Sequence, residues 1–215
     1  MNKPEMAKKY IELGRSIIPL KADDKKPIGS WTKYQTERMT PDEAFDYFTK
    51  NPDANMGMVT GEISGISVID IDGKEGFDAL NDAKIRLPDT TIVKTPRGWH
   101  YYYKYNPELK QGANRLEKVD IRNDGGYVVV PPSEVGGVPY KRAEHSVNKV
   151  SEFKGSVPQE FIGGVHSPQT SKLVSASEIE RPKWVAEALK NGFESGRRND
   201  IATRLCGYIH SKGIG

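Results

Sequence analysis

Val68-Ile69-Asp70-Ile71-Asp72-Gly73 is the stretch on which the fold turns. Side chains alternate across a β-strand, so Ile69 and Ile71 enter a core on one face while Asp70 and Asp72 project together from the other. Two carboxylates so placed repel each other unless a cation sits between them. Hard oxygen ligands favour Mg²⁺ or Mn²⁺, which keep waters and phosphate oxygens as their remaining ligands. The plainer alternative is that both carboxylates cap a turn at a strand end, since Gly73 follows.

The pattern repeats in Lys118-Val119-Asp120-Ile121-Arg122, where an acidic residue again sits between two apolar strand residues. Three carboxylates on adjacent strands could hold two metals, an arrangement that activates an attacking oxygen and steadies a leaving pyrophosphate. A salt bridge from Asp120 to Lys118 or Arg122 is the structural alternative. Between the acidic segments lies Lys94-Thr95-Pro96-Arg97-Gly98-Trp99-His100-Tyr101-Tyr102-Tyr103. Pro96 and Gly98 make a turn that releases Arg97. By strand parity His100, Tyr102 and Lys104 share one face, and Tyr101, Tyr103 and Tyr105 the other. A guanidinium fork and an imidazole beside a metal site suit a triphosphate. Against this, a lone His in an aromatic run is commonly a packed strand residue, and the tyrosines read as sheet packing before they read as base-stacking platforms.

Outward from this centre, residues 4–13 carry apolar side chains at helical spacing, Gly14 stops them, and Ile17-Ile18-Pro19-Leu20 reads as a strand. A charged loop over 21–30 leads to Thr40-Pro41-Asp42-Glu43, a capping box that opens a second helix. Strands are expected at 55–60 and 66–71, a helix at 77–85, and a hairpin pairing 91–94 with 99–105. A second pairing is expected between 119–121 and 127–130 across Asn123-Asp124-Gly125-Gly126. Gly57 and Gly61 stand where backbone approaches a ligand or turns at a strand end, and Pro131-Pro132 blocks strand extension. The expected fold class is α+β with a largely antiparallel sheet.

The chain has 215 residues, one cysteine (Cys206) and a net charge of +3. That length supports a sizeable core without staples. One cysteine excludes an internal disulfide and thiolate metal cages, which points to a reducing cytoplasm. No long apolar run marks export or a membrane span. The charge is too balanced to argue for an acidic partner by itself. Around 163–177 the composition turns to Gly, Ser, Pro, Gln and Thr, as in a solvated linker. Two short helices are expected in 178–215, too little to close a core, so the chain reads as a piece of a longer protein with its main α+β domain over 1–162.

Taken in order, these segments resemble the bifunctional primase-polymerase (Prim-Pol) domain of the archaeo-eukaryotic primase superfamily, found in phage and plasmid replication proteins. The Asp-x-Asp after an apolar strand matches Val68 to Asp72. The small-x-His after a Thr-Pro turn matches Thr95-Pro96-Arg97-Gly98-Trp99-His100, with Gly98 where many members have Ser. The apolar-Asp motif matches Val119-Asp120 and continues in the family's manner to Ser133. Gly196-Arg197-Arg198-Asn199-Asp200 resembles the start of the primase C-terminal helical domain, which often joins this core to a helicase.

The resemblance implies an RRM-like catalytic module with flanking helices and a short helical appendage. It implies Asp70, Asp72 and Asp120 as ligands of a two-metal Mg²⁺ or Mn²⁺ site, with His100 on the phosphates of an incoming nucleotide. Lys94 and Arg97 beside the turn, together with Gly98 and Arg122, complete the expected nucleotide-binding set. DNA template and primer, dNTP or NTP, and a C-terminally fused helicase are the expected partners, in the cytoplasm of a bacterial or archaeal host. Two rivals stand beside this reading. Asp70-Ile71-Asp72-Gly73 also resembles the nucleophile loop of haloacid-dehalogenase-type phosphatases, although Lys74 and the lack of regular βα alternation argue against them. A single-strand or origin DNA-binding module would use the acidic residues only to cap strands.

Overall fold

The computed structural model describes residues 2–154 and 156–162. The expected linker over 163–177 and the helical segment over 178–215, with the 196–200 motif, lie outside the described residues.

The N-terminal helix α1 (Lys3–Glu12) is set by a capping box from Asn2 to Glu5. It ends before Gly14, whose φ of 77° suits a residue without a side chain. The second helix, α2 (Pro41–Lys50), starts on the expected capping box: the Thr40 hydroxyl accepts from the Glu43 N–H and the Glu43 carboxylate accepts from the Thr40 N–H. Ala7 and Ile11 of α1 and Ala44 and Phe48 of α2 join the first core cluster. That cluster also includes the fully buried strands β1 (Ser16–Leu20) and β2 (Asn55–Val59). With β8 (Tyr127–Val129) these form a three-stranded antiparallel sheet in the order β1-β2-β8.

The larger sheet is built around β3 (Ile66–Asp72). Helix α3 (Gly73–Asp82) leads from it to β4 (Thr91–Lys94), and β5 (Gly98–Lys104) follows. Then come β6 (Gly112–Leu116) and β7 (Val119–Arg122), the short strands β9 (Glu134–Val135), β10 (Val138–Pro139) and β11 (Lys141–Arg142), and α4 (Gln159–Ile162). The sheet order is β11-β4-β5-β3-β7-β6, antiparallel throughout. The α+β, antiparallel class expected from the sequence is the class observed. A doubly wound parallel sheet is not, and the phosphatase alternative loses its architectural basis with it.

Strand β3 shows how alternation divides labour. Ile69 and Ile71 are fully buried in a second cluster with Leu80 of α3, Tyr103 and Ile121. On the opposite face Ile66 and Val68 pack into the first cluster, and Asp70 and Asp72 continue that same face toward solvent. One face of one strand is therefore core in its first half and carboxylate in its second.

Two expectations are corrected. Helix α3 spans Gly73–Asp82, not 77–85: Gly73 takes a φ of 69° and turns the chain directly out of β3, and Gly76 lies so close to Ile71 and the Lys118 carbonyl that no Cβ would fit. The second correction concerns β7 and β8, which do not pair with each other; β7 joins β3 and β6, whereas β8 joins β2. The intervening turn carries the chain from one sheet to the other because Asn123 is anchored deep in the structure. Its amide donates to the carbonyls of Asn106 and Leu109, and its own oxygen accepts from Ser67. Gly57, mid-strand in β2, makes room for Ile18 and not for a ligand; Gly61 makes room for Asp124.

Candidate active site

Strand register assembles the site. Asp70 lies directly opposite Asp120 on β7 and directly opposite His100 on β5. Two residues further along, Asp72 faces Gly98. Opposed residues in antiparallel strands point to the same face, so Asp70, Asp72, Asp120 and His100 gather on the sheet face away from α3. They line one cavity of about 310 Å³, together with Arg97 and Arg122. A larger cavity of about 390 Å³ opens elsewhere, among Phe77, Leu80, Tyr101 and His145, and none of the expected site residues lines it.

Each carboxylate has a basic partner. Arg97 reaches Asp72 at 3.1 Å, Arg122 reaches Asp120 at 2.5 Å, and His100 Nε2 lies 3.5 Å from Asp70 Oδ1. Asp120 also accepts from the Asn114 N–H at 2.7 Å. The expected alternative of a salt bridge from Asp120 to Arg122 is thus realised. The alternative of a turn-capping role for Asp72 is not, because Asp72 stands at the N-cap of α3 and its side chain makes no capping hydrogen bond.

His100 is 5% exposed, and burial pushes its pKa below the ordinary imidazole value despite the opposing pull of Asp70. A neutral ring carries one N–H. Tyr102, also buried, places its hydroxyl 3.5 Å from His100 Nδ1, and burial drives that phenol's pKa well above the usual value, so it keeps its proton. Nε2 faces Asp70 and Nδ1 faces the Tyr102 hydroxyl, and either nitrogen can carry the single N–H. A neutral imidazole does not cancel the Asp70 charge.

Lys94 is not brought to this site. Its register partners are Trp99 and Lys141, and it lines a separate groove with them and with Arg142. Trp99 packs edge-on against Phe77 of α3, so this row belongs to the other face of the sheet. Gly98 contributes backbone only: a Cβ there would stand 1.8 Å from the Ile71 carbonyl oxygen. Sequence reading missed Lys25, Trp31, Gln111, Tyr127 and Tyr140, all of which line the cavity. They arrive from the loop after β1, the segment before β6, strand β8 and the residue before β11. Only their long-range placement makes them neighbours, and the one local hint was the positive charge of the 21–30 loop.

Three hard carboxylates on neighbouring strands, one of them beside an uncharged imidazole, make a donor set that suits a divalent cation. Among the described residues, no group of three or more acidic, His or Cys side chains already stands in metal-cage geometry. The Arg97–Asp72 pair is open to solvent, with Arg97 69% exposed, and pairs of that kind are worth about 0–1 kcal/mol. A divalent ion would displace such a partner at little cost.

The fold and site together define an antiparallel α+β module that presents an acidic cluster, backed by Arg and His, in an open cleft. The model of the bifunctional DNA primase/polymerase N-terminal domain (Prim-Pol) matches residues 7–156 of the sequence, and the chain belongs to that family. The family is one of DNA primases and polymerases, enzymes that transfer nucleotides. No curated protein matches the chain.

Proposed function

We propose that the chain is a template-dependent nucleotidyltransferase, a DNA polymerase and primase that adds nucleotides from dNTP or NTP to a 3′-hydroxyl in phage or plasmid replication. The observation that carries this reading is the convergence of Asp70, Asp72 and Asp120 from two adjacent strands on one cavity that also holds His100, Arg97 and Arg122.

The residues fit the two divalent cations that this chemistry uses: Asp70, Asp72 and Asp120 would hold them. Bound there, Mg²⁺ or Mn²⁺ would lower the pKa of the attacking 3′-hydroxyl and neutralise the departing pyrophosphate. The protein's own groups orient the triphosphate. Arg97 and Arg122, released from their carboxylates, offer guanidinium forks matched to phosphate oxygens. His100, held by Tyr102, offers a single N–H donor at the same wall, and Lys25 adds a flexible cation at the rim. The reaction needs an in-line approach of hydroxyl and α-phosphorus, so the catalytic task is mainly positioning and charge placement. Template and primer contacts outside the cavity run through phosphates and are sensitive to salt but tolerant of sequence. A helicase fused beyond the C-terminal helical segment is part of the same proposal.

One observation favours the non-catalytic DNA-binding reading: Asp72 and Asp120 already face guanidinium groups. The two readings part on metal. Labelled primer-template and unprimed template, each with dNTP or NTP and with Mg²⁺, Mn²⁺ or EDTA, should give metal-dependent product. Template binding that is indifferent to metal, without any product, would favour the binding module.

A further inference from the structure

Tyr140, the residue immediately before β11, is 2% exposed, yet its side chain lines the acidic cavity. Its ring centroid lies 5.8 Å from that of His100. Its backbone is fixed by an N–H donated to the Ser133 carbonyl at 2.8 Å, so the ring is delivered from a defined position. A buried phenol ordinarily finds a partner for its hydroxyl. Tyr103 follows that rule by donating to the Pro88 carbonyl. The Tyr140 hydroxyl has no such partner among the described residues. Nor is it one of the polar atoms sealed away from all open space, so the space it meets is the cavity.

The surroundings of that hydroxyl decide what it awaits. The ring's aromatic neighbour is His100, the register partner of Asp70, and Asp70, Asp72 and Arg97 line the same cavity. Burial, followed by Asp70, pushes the hydroxyl's pKa upward, and it remains a proton donor throughout the working pH range. The wall opposite Asp72 has no side chain to offer, since Gly98 has no room for one. An uncharged donor, held rigidly among cationic and metal-binding groups, suits an acceptor oxygen that carries charge.

We infer that Tyr140 is a substrate-binding residue whose hydroxyl donates a hydrogen bond to a phosphate oxygen of the incoming nucleoside triphosphate. This rests on the reading of the cavity as a triphosphate site. Tyr140→Phe removes the hydroxyl and keeps the ring, and because that hydroxyl has no partner among the described residues the melting temperature without nucleotide should be unchanged. Affinity for dATP in the presence of Mg²⁺ should fall roughly 10- to 100-fold, the range for a lost hydrogen bond to a charged group. The KM for dATP should rise by a similar factor with kcat little altered, and binding of deoxyadenosine, which has no phosphate, should be the same in both proteins.

Three results would overturn the assignment: unchanged dATP affinity in the variant, an equal loss of deoxyadenosine binding, or a lower melting temperature without nucleotide, which would reveal an internal partner. A wild-type protein that binds no dATP would instead remove the triphosphate reading itself, and the role of Tyr140 with it.

Discussion

Asp70 on β3 and Asp120 on β7 occupy directly opposed positions of neighbouring antiparallel strands, so two like charges share one side of a sheet. Such pairs destabilise a sheet, and each cross-strand pair is worth roughly 0.2–1 kcal/mol. Arg122 answers Asp120, while Asp70 faces only an imidazole that burial keeps neutral. Asp70→Asn should therefore raise the stability of the metal-free protein by up to about 1 kcal/mol, visible in EDTA as a higher melting temperature, and should abolish primer extension. Stability given up at a functional position is a recurrent feature of active sites.

Divalent ions should reverse that balance. Ligand that binds only the folded state stabilises by about 2.7 kcal/mol at a hundredfold excess over Kd. Thermal melting of the wild type should rise on titration with Mn²⁺ or Mg²⁺, whereas Asp70→Asn should show little response. Equal shifts in both proteins would place the ions elsewhere.

Gly98 is expected to tolerate no side chain. The Cβ of alanine would fall 1.8 Å from the Ile71 carbonyl oxygen, between β5 and β3 at the position that faces Asp72. Backbone atoms at that distance must move apart. Gly98→Ala should destabilise by at least about 2 kcal/mol, as steric overpacking of a core does, with a matching loss of activity. Urea unfolding would measure it, and a variant as stable as the wild type would refute the close packing.

The pH dependence follows from His100. Burial lowers its folded pKa below the reference value of 6.5, so the unfolded chain binds more protons as pH falls through that region. The resulting contribution is fully present above about pH 6.5 and is lost progressively below it. In EDTA the wild type should lose stability between about pH 7 and 5 more steeply than His100→Gln, compared by melting temperature across that range. Parallel profiles would show that His100 does not titrate with folding.

Much of this was legible in the chain itself, for identifiable reasons. The Thr40 capping box, the β3 alternation and the Thr95–Gly98 turn are local: each is written within a few residues, and each formed as read. Strand parity correctly sorted His100 and Tyr102 from Tyr101 and Tyr103. Lys94 adjoins the turn in sequence but not the site in space, because register with Trp99 turns it to the opposite face. The β7–β8 hairpin failed because the Asn123 anchor is made with carbonyls and a hydroxyl far away in sequence. Trp31 and Tyr140 were invisible for the same reason. Their role is set by which strands become neighbours, and no short motif records that.

The most direct measurement is extension of a labelled primer on a template, with dNTP and Mg²⁺ or Mn²⁺, by the wild type and by Asp72→Ala. Asp72 makes no capping bond and its partner Arg97 is exposed, so the substitution should leave the fold intact by circular dichroism. The expected result is extension by the wild type and none by the variant. A folded Asp72→Ala protein that extends primers at close to the wild-type rate would contradict the assignment of nucleotide transfer to these aspartates.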